Sequence, residues 1–144
     1  ALDAAKKTAV EKTAAAAKAA TNAAVEKALA ESADLALTAA ELASDAKEAA
    51  KNQAKAHYES LLDLAPTAAS RVAAYNDYLA KNEDWKEAVV DEESKDDAFD
   101  DATEKANEAK TVSDNAAKES DEANAVKEKA EKDALEKKKL CATC

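Results

Sequence analysis

The sequence predicts an all-α protein: an elongated antiparallel helical hairpin or bundle of three to four long helices with alanine-rich, coiled-coil-like packing. Two observations carry this expectation. The first is that 144 residues contain no glycine and one proline, while 42 are alanine. An average chain of this length carries about ten glycines and seven prolines. Glycine and proline serve turns and tight loops, whereas alanine has the highest intrinsic helix propensity. The second is that small residues recur at alternating steps of three and four, the spacing of a helix–helix seam.

A single elongated domain is expected over 1–144. The N-terminal arm, 2–64, reads as one long helix or two collinear ones. Its seam runs Ala33, Ala36, Ala40, Ala43, Lys47, Ala50, Ala54, His57, Leu61, Leu64. Before residue 30 alanine covers nearly every face and the seam has no assignable phase. Thr21, Asn22 and Ser32 are candidate N-caps inside this arm. Pro66 is the firm break, because it disfavours helical geometry at Ala65 and donates no backbone hydrogen bond. Pro66 or Thr67 then opens a short helix over 67–81. Asn82 followed by Glu83 and Asp84 reads as a start signal, a capping side chain and then acids that suit the positive helix end.

The C-terminal arm spans 84–139, with a pause expected at 91–94 and a capping box from Ser94 to Asp97. Its seam runs Phe99, Ala102, Ala106, Ala109, Ser113, Ala116, Ser120, Ala123, Lys127, Ala130, Ala134. Lys137, Lys138 and Lys139 suit the negative helix end, and 140–144 form a cysteine-containing tail. Every aromatic residue lies between 58 and 99. Tyr58, Leu61, Tyr75, Tyr78, Trp85 and Phe99 are therefore the candidate core or binding surface, where three helical segments meet. The flanking arms, each roughly 65–85 Å long, are expected to fold back alongside one another.

Charge and composition exclude several functions. A formal charge of −10 argues against nucleic acid, which requires a concentrated basic face. No stretch approaches the 18 apolar residues of a membrane span. No nucleophile–base pair is evident, and glycine-dependent phosphate and cofactor loops are excluded by composition. No catalytic or cofactor-binding residue is assigned. His57, the sole histidine, reads as a packed, partly solvated seam residue. Asp96, Asp97, Asp100, Asp101 and Glu104 stand in like-charged i,i+4 relations that cost a few tenths of a kcal/mol each. They read as a solvated acidic face or as a diffuse, weak Ca²⁺ face, the one cofactor considered; an EF-hand is excluded by the missing glycine. Cys141 and Cys144 are disulfide candidates, within or between chains. The alternatives are inert thiols, or metal or redox chemistry, for which the pair is badly placed after a helix end. Disulfides imply an oxidising compartment, hence an extracellular or secretory location. Ala1, without Met or a signal-peptide pattern, reads equally as a processed start or as a fragment.

Some segments resemble known families. Ala14–Ala20 and Ala23–Ala30 resemble the Ala/Lys/Thr/Glu style of late-embryogenesis-abundant desiccation proteins, without their eleven-residue repeat. The alanine content is similar to that of helical antifreeze proteins, but no two threonines stand eleven apart. Acidic, glycine-poor helices also resemble trypanosome surface coats and protist secretory-organelle matrix proteins, by composition alone.

The favoured expectation is a non-enzymatic structural protein that associates with itself or another helical protein as a coat, matrix or filament component, including as a disulfide-linked oligomer. One alternative is a helical module presenting its aromatic surface to a lipid, pigment or protein. The other is a stress-protective chain that folds on drying or freezing.

Overall fold

The computed structural model describes residues 1–63 and 67–142, and all of its regular structure is helical. Two helices make up these residues, α1 (Leu2–Asp63) and α2 (Ala68–Ala142). They pack against each other. The expected Pro66 break, Leu64 of the first seam and Cys144 lie outside the described residues.

The three-to-four-helix count is corrected to two. No boundary occurs at Asn82 or across 91–94, since α2 runs unbroken through both. Asn82, Glu83, Asp84 and Ser94 are cap-like by residue type, but a cap supplies about 1 kcal/mol only where backbone N–H groups lack partners. Inside α2 those groups are bonded to the preceding turn, and no glycine or proline interrupts the ladder. Thr67 does cap: its Oγ1 accepts the Ser70 backbone N–H at 3.2 Å, immediately before Ala68.

The contacts group into two compact units. Unit 1 comprises Ala1–Leu29 with Ala102–Cys144. Within it the helices run antiparallel, as Lys6 pairs with Glu131 at 3.9 Å and Lys12 with Glu119 at 2.6 Å. Its most enclosed residues are Ala9, Ala109, Ser120 and Ala123. On α2, every seam position from Ala102 to Ala134 is buried or half-buried as the spacing predicts. A polar layer crosses this seam. The Thr13 and Ser120 hydroxyls share a hydrogen bond at 3.1 Å, and Asn124 Nδ2 donates to Thr13 Oγ1 at 3.5 Å. A satisfied polar layer costs little and marks one register among many that an all-alanine seam tolerates.

Unit 2 comprises Ala30–Asp101. Its helices are again antiparallel, with Lys51 over Trp85 and Tyr58 against Tyr75. Leu37, Ala40, Ser44, Ala54 and Ala74 are buried. The α1 seam keeps Ala33, Ala36, Ala40, Ala50, Ala54 and Leu61 from the predicted set, all buried or half-buried, and adds Leu37, Ser44, Lys51 and Tyr58. Ala43, Lys47 and His57 are exposed. Alanine on both sides of the choice leaves the phase open locally; the bulk of Leu37 and Tyr58, one residue further on, decides it.

The Lys12–Glu119 pair carries a pH prediction. The hydrogen bond that Lys12 donates, and then the charge of Glu119, hold the ammonium above its ordinary 10.5. The same bond, and then the charge of Lys12, hold Glu119 below 4.5. The Glu119 contribution is present above its unfolded value and lost as pH falls through the lowered folded one. The Lys12 contribution is present below 10.5 and lost as pH rises through the raised value. In Lys12→Met, the NMR titration midpoint of the Glu119 carboxyl is expected to rise toward the ordinary carboxylate value. An unmoved midpoint would show that the pair does not persist in solution.

Candidate interaction surface

Alanine sets how closely α1 and α2 approach, and that decides where the larger residues go. Small residues let helix axes come near the lower end of the usual 8–10 Å range. A seam of small residues encloses mostly methyl groups, and Leu37 is the one leucine buried among the described residues. No large side chain among the described residues is fully buried. Bulky apolar residues instead stand outside: Val10 is 70% exposed, Leu35 72%, Leu42 65% and Val90 65%. The distribution is inverted relative to an ordinary core, in which Leu and Val are among the most buried types.

The predicted aromatic knot is only partly assembled. The Tyr58 and Tyr75 rings lie 5.2 Å apart between centroids, and Tyr75 and Tyr78 6.5 Å apart. Tyr58, Leu61, Tyr78, Trp85 and Phe99 are half-buried, whereas Tyr75 is 44% exposed. Tyr58 and Tyr75 edge an open groove of about 350 Å³ with Leu62, Ala68, Arg71 and Val72. Trp85 has a different neighbour, the Lys51 ammonium, 3.7 Å from its ring centroid. A double-mutant cycle of Lys51→Met with Trp85→Leu is expected to give about 0.5–1 kcal/mol of coupling. Zero coupling would mean that the two only happen to be adjacent.

Two outer surfaces escaped the sequence reading. In unit 2, α1 carries a second apolar row away from α2: Ser32, Leu35, Ala39, Leu42, Ala46 and Ala49, all exposed. Its signal is the same three–four spacing begun one residue before Ala33. The first seam absorbed the available alanines and hid it. In unit 1, Ala9, Val10, Thr13, Ala14 and Ala17 line an open groove of about 400 Å³ with Asn124 and Lys127. This groove comes from pairing two helices and has no one-dimensional signature.

The remaining candidates are exposed. Asp96, Asp97, Asp100, Asp101 and Glu104 all face solvent. Among the described residues no group of three or more His, Cys, Asp or Glu is arranged to hold a metal ion. Cys141 is an exposed free thiol. No helix among the described residues is long and apolar enough to cross a membrane.

Fold and surfaces together define an all-α protein whose described residues form two long packed helices, with an alanine-rich seam and with leucines and valines set among the charged residues of the surface. Set against protein-family models, curated proteins and solved structures, it matches none of them.

Proposed function

We propose that this is a non-enzymatic structural protein that works by helix–helix association, with copies of itself as the first partner, in a coat, matrix or filament. The observation that supports this reading is the inverted distribution: alanine methyls inside, and Val10, Leu35, Leu42 and Val90 standing largely in solvent. Leu35 and Leu42 stand in one row at helical spacing with Ala39 and Ala46, and an apolar row of that kind marks a packing face. Burying one leucine in a contact supplies about 1.5–3 kcal/mol, so a few such residues give a weak, concentration-dependent contact.

Sedimentation equilibrium from micromolar to near-millimolar protein tests this, with and without reductant. The average mass is expected to rise with concentration in both conditions, and further without reductant if Cys141 forms interchain disulfides. A constant monomer mass throughout removes the assembly reading. An extracellular or secretory location belongs to this proposal through the same thiol chemistry.

A second reading is favoured by one observation, the groove edged by Tyr58, Leu62, Val72 and Tyr75. In it the aromatic end receives an apolar ligand. Tyrosine fluorescence that changes saturably with an added lipid or pigment supports this reading. A stress-protective role predicts a largely unfolded chain in dilute buffer, which far-ultraviolet circular dichroism reads directly. Weak Ca²⁺ binding along Asp96–Glu104 predicts a rise in melting temperature at millimolar Ca²⁺.

A further inference from the structure

We propose that the Leu35–Leu42 ridge on α1 of unit 2 docks into the Val10–Ala14–Ala17 groove of unit 1 in a second copy of this chain. The inference rests on the self-association proposed above and names the two surfaces that carry it.

The surfaces agree in length, shape and charge. Leu35 and Leu42 are one heptad apart, about 10 Å along a helix, and the groove wall from Val10 to Ala17 has the same span. The ridge projects two leucines that are 72% and 65% exposed, with small residues between them. The groove presents the opposite relief, about 400 Å³ of open space over Ala9, Ala14 and Ala17. Knobs set into holes at heptad spacing are the standard way for helices to interlock.

Charge selects the groove over another ridge. Unit 2 holds seven Lys and Arg against eighteen Asp and Glu, with Glu31 and Asp45 beside the ridge. Ridge-to-ridge pairing would set this excess against itself. Unit 1 holds fourteen Lys and Arg against thirteen acids, and Lys127 stands on the groove rim. Like charges juxtaposed across an interface oppose docking, whereas a cation facing an acidic edge fixes the register.

The ridge and the groove are different surfaces, so the contact is heterologous. Each copy offers one of each, and pairs either close reciprocally or continue into an open string.

The test uses the full chain and two variants: Leu35→Glu/Leu42→Glu, which spoils the ridge, and Ala14→Glu, which spoils the groove. All these positions are exposed, so circular dichroism is expected to show unchanged helicity. Wild type is expected to associate in sedimentation equilibrium, more weakly as salt is added. Each variant alone is expected to associate at least about 100-fold more weakly. An equimolar mixture is expected to recover a complex of two chains and stop there, because it holds one sound ridge and one sound groove. A mixture that stays monomeric overturns the pairing. Variants that associate like wild type overturn the surfaces while leaving self-association standing. Wild type that remains monomeric near millimolar concentration overturns both. So does a monomer that instead binds a Lys-flanked Leu/Ala helical peptide, which would make the ridge a site for a foreign basic helix.

Discussion

Ala40→Leu is expected to destabilise the fold by about 1–3 kcal/mol, lowering the melting temperature by roughly 3–12 °C. Ala40 is 5% exposed on the α1 seam, and its neighbours along that seam include Ala33, Leu37 and Ser44. Added methylenes gain burial, but only by driving α1 from α2 over several turns, which strips contact from the small residues on either side. A local gain set against an extended loss is the arithmetic of overpacking. Leu35→Ala supplies the control. Leu35 is 72% exposed, so its truncation should change the dilute monomer by less than about 0.5 kcal/mol while weakening association. Chemical denaturation at low and high protein concentration reads both effects. An Ala40→Leu variant that melts higher than wild type would mean the seam has room to spare, and the account of why bulky residues lie outside would fail.

Glu83→Pro is expected to cost about 3 kcal/mol or more, with a visible loss of helicity. The substitution asks whether α2 is one helix or two. If Asn82 were an N-cap, residue 83 would be the first helical position, where proline is well tolerated. In an unbroken α2, proline removes a hydrogen bond to the preceding turn and its ring collides with the Leu79 carbonyl. The lost Glu83–Lys86 pair, 3.2 Å apart, is exposed and adds a few tenths of a kcal/mol at most. Glu83→Ala isolates that small term. A Glu83→Pro variant as stable as Glu83→Ala would restore the helix boundary that the residue types suggest.

The C-terminal seam was legible residue by residue. From Phe99 to Ala134 the residues off the seam are mostly Lys, Asp, Glu, Asn and Thr, so one face of the helix is the most continuously apolar. The N-terminal seam was half legible, because alanine on neighbouring faces gives the spacing without the phase. Leu37 and Tyr58 set the phase, and their side chains matter only once a partner helix lies against them. His57 was misplaced for that reason: the face one residue over takes Tyr58. Asn82 and Ser94 carry capping chemistry but cap nothing, because the backbone groups beside them are already paired within α2. The candidate surface was the least legible part. The Leu35–Leu42 row shares its spacing with the first seam, and the unit 1 groove needs residues from both helices.

By itself, then, the amino-acid order determined that the chain is helical and rich in close-packing methyls. Those properties follow from propensity and from the absence of glycine, which act on each turn separately. Only the tertiary structure decided that the described residues form two helices, which alanines face the partner helix, and that most leucines and valines stay outside while Leu37 is enclosed. Those outcomes depend on the distance between helix axes, a quantity that no single turn carries and that the narrowest residues along the whole contact set together.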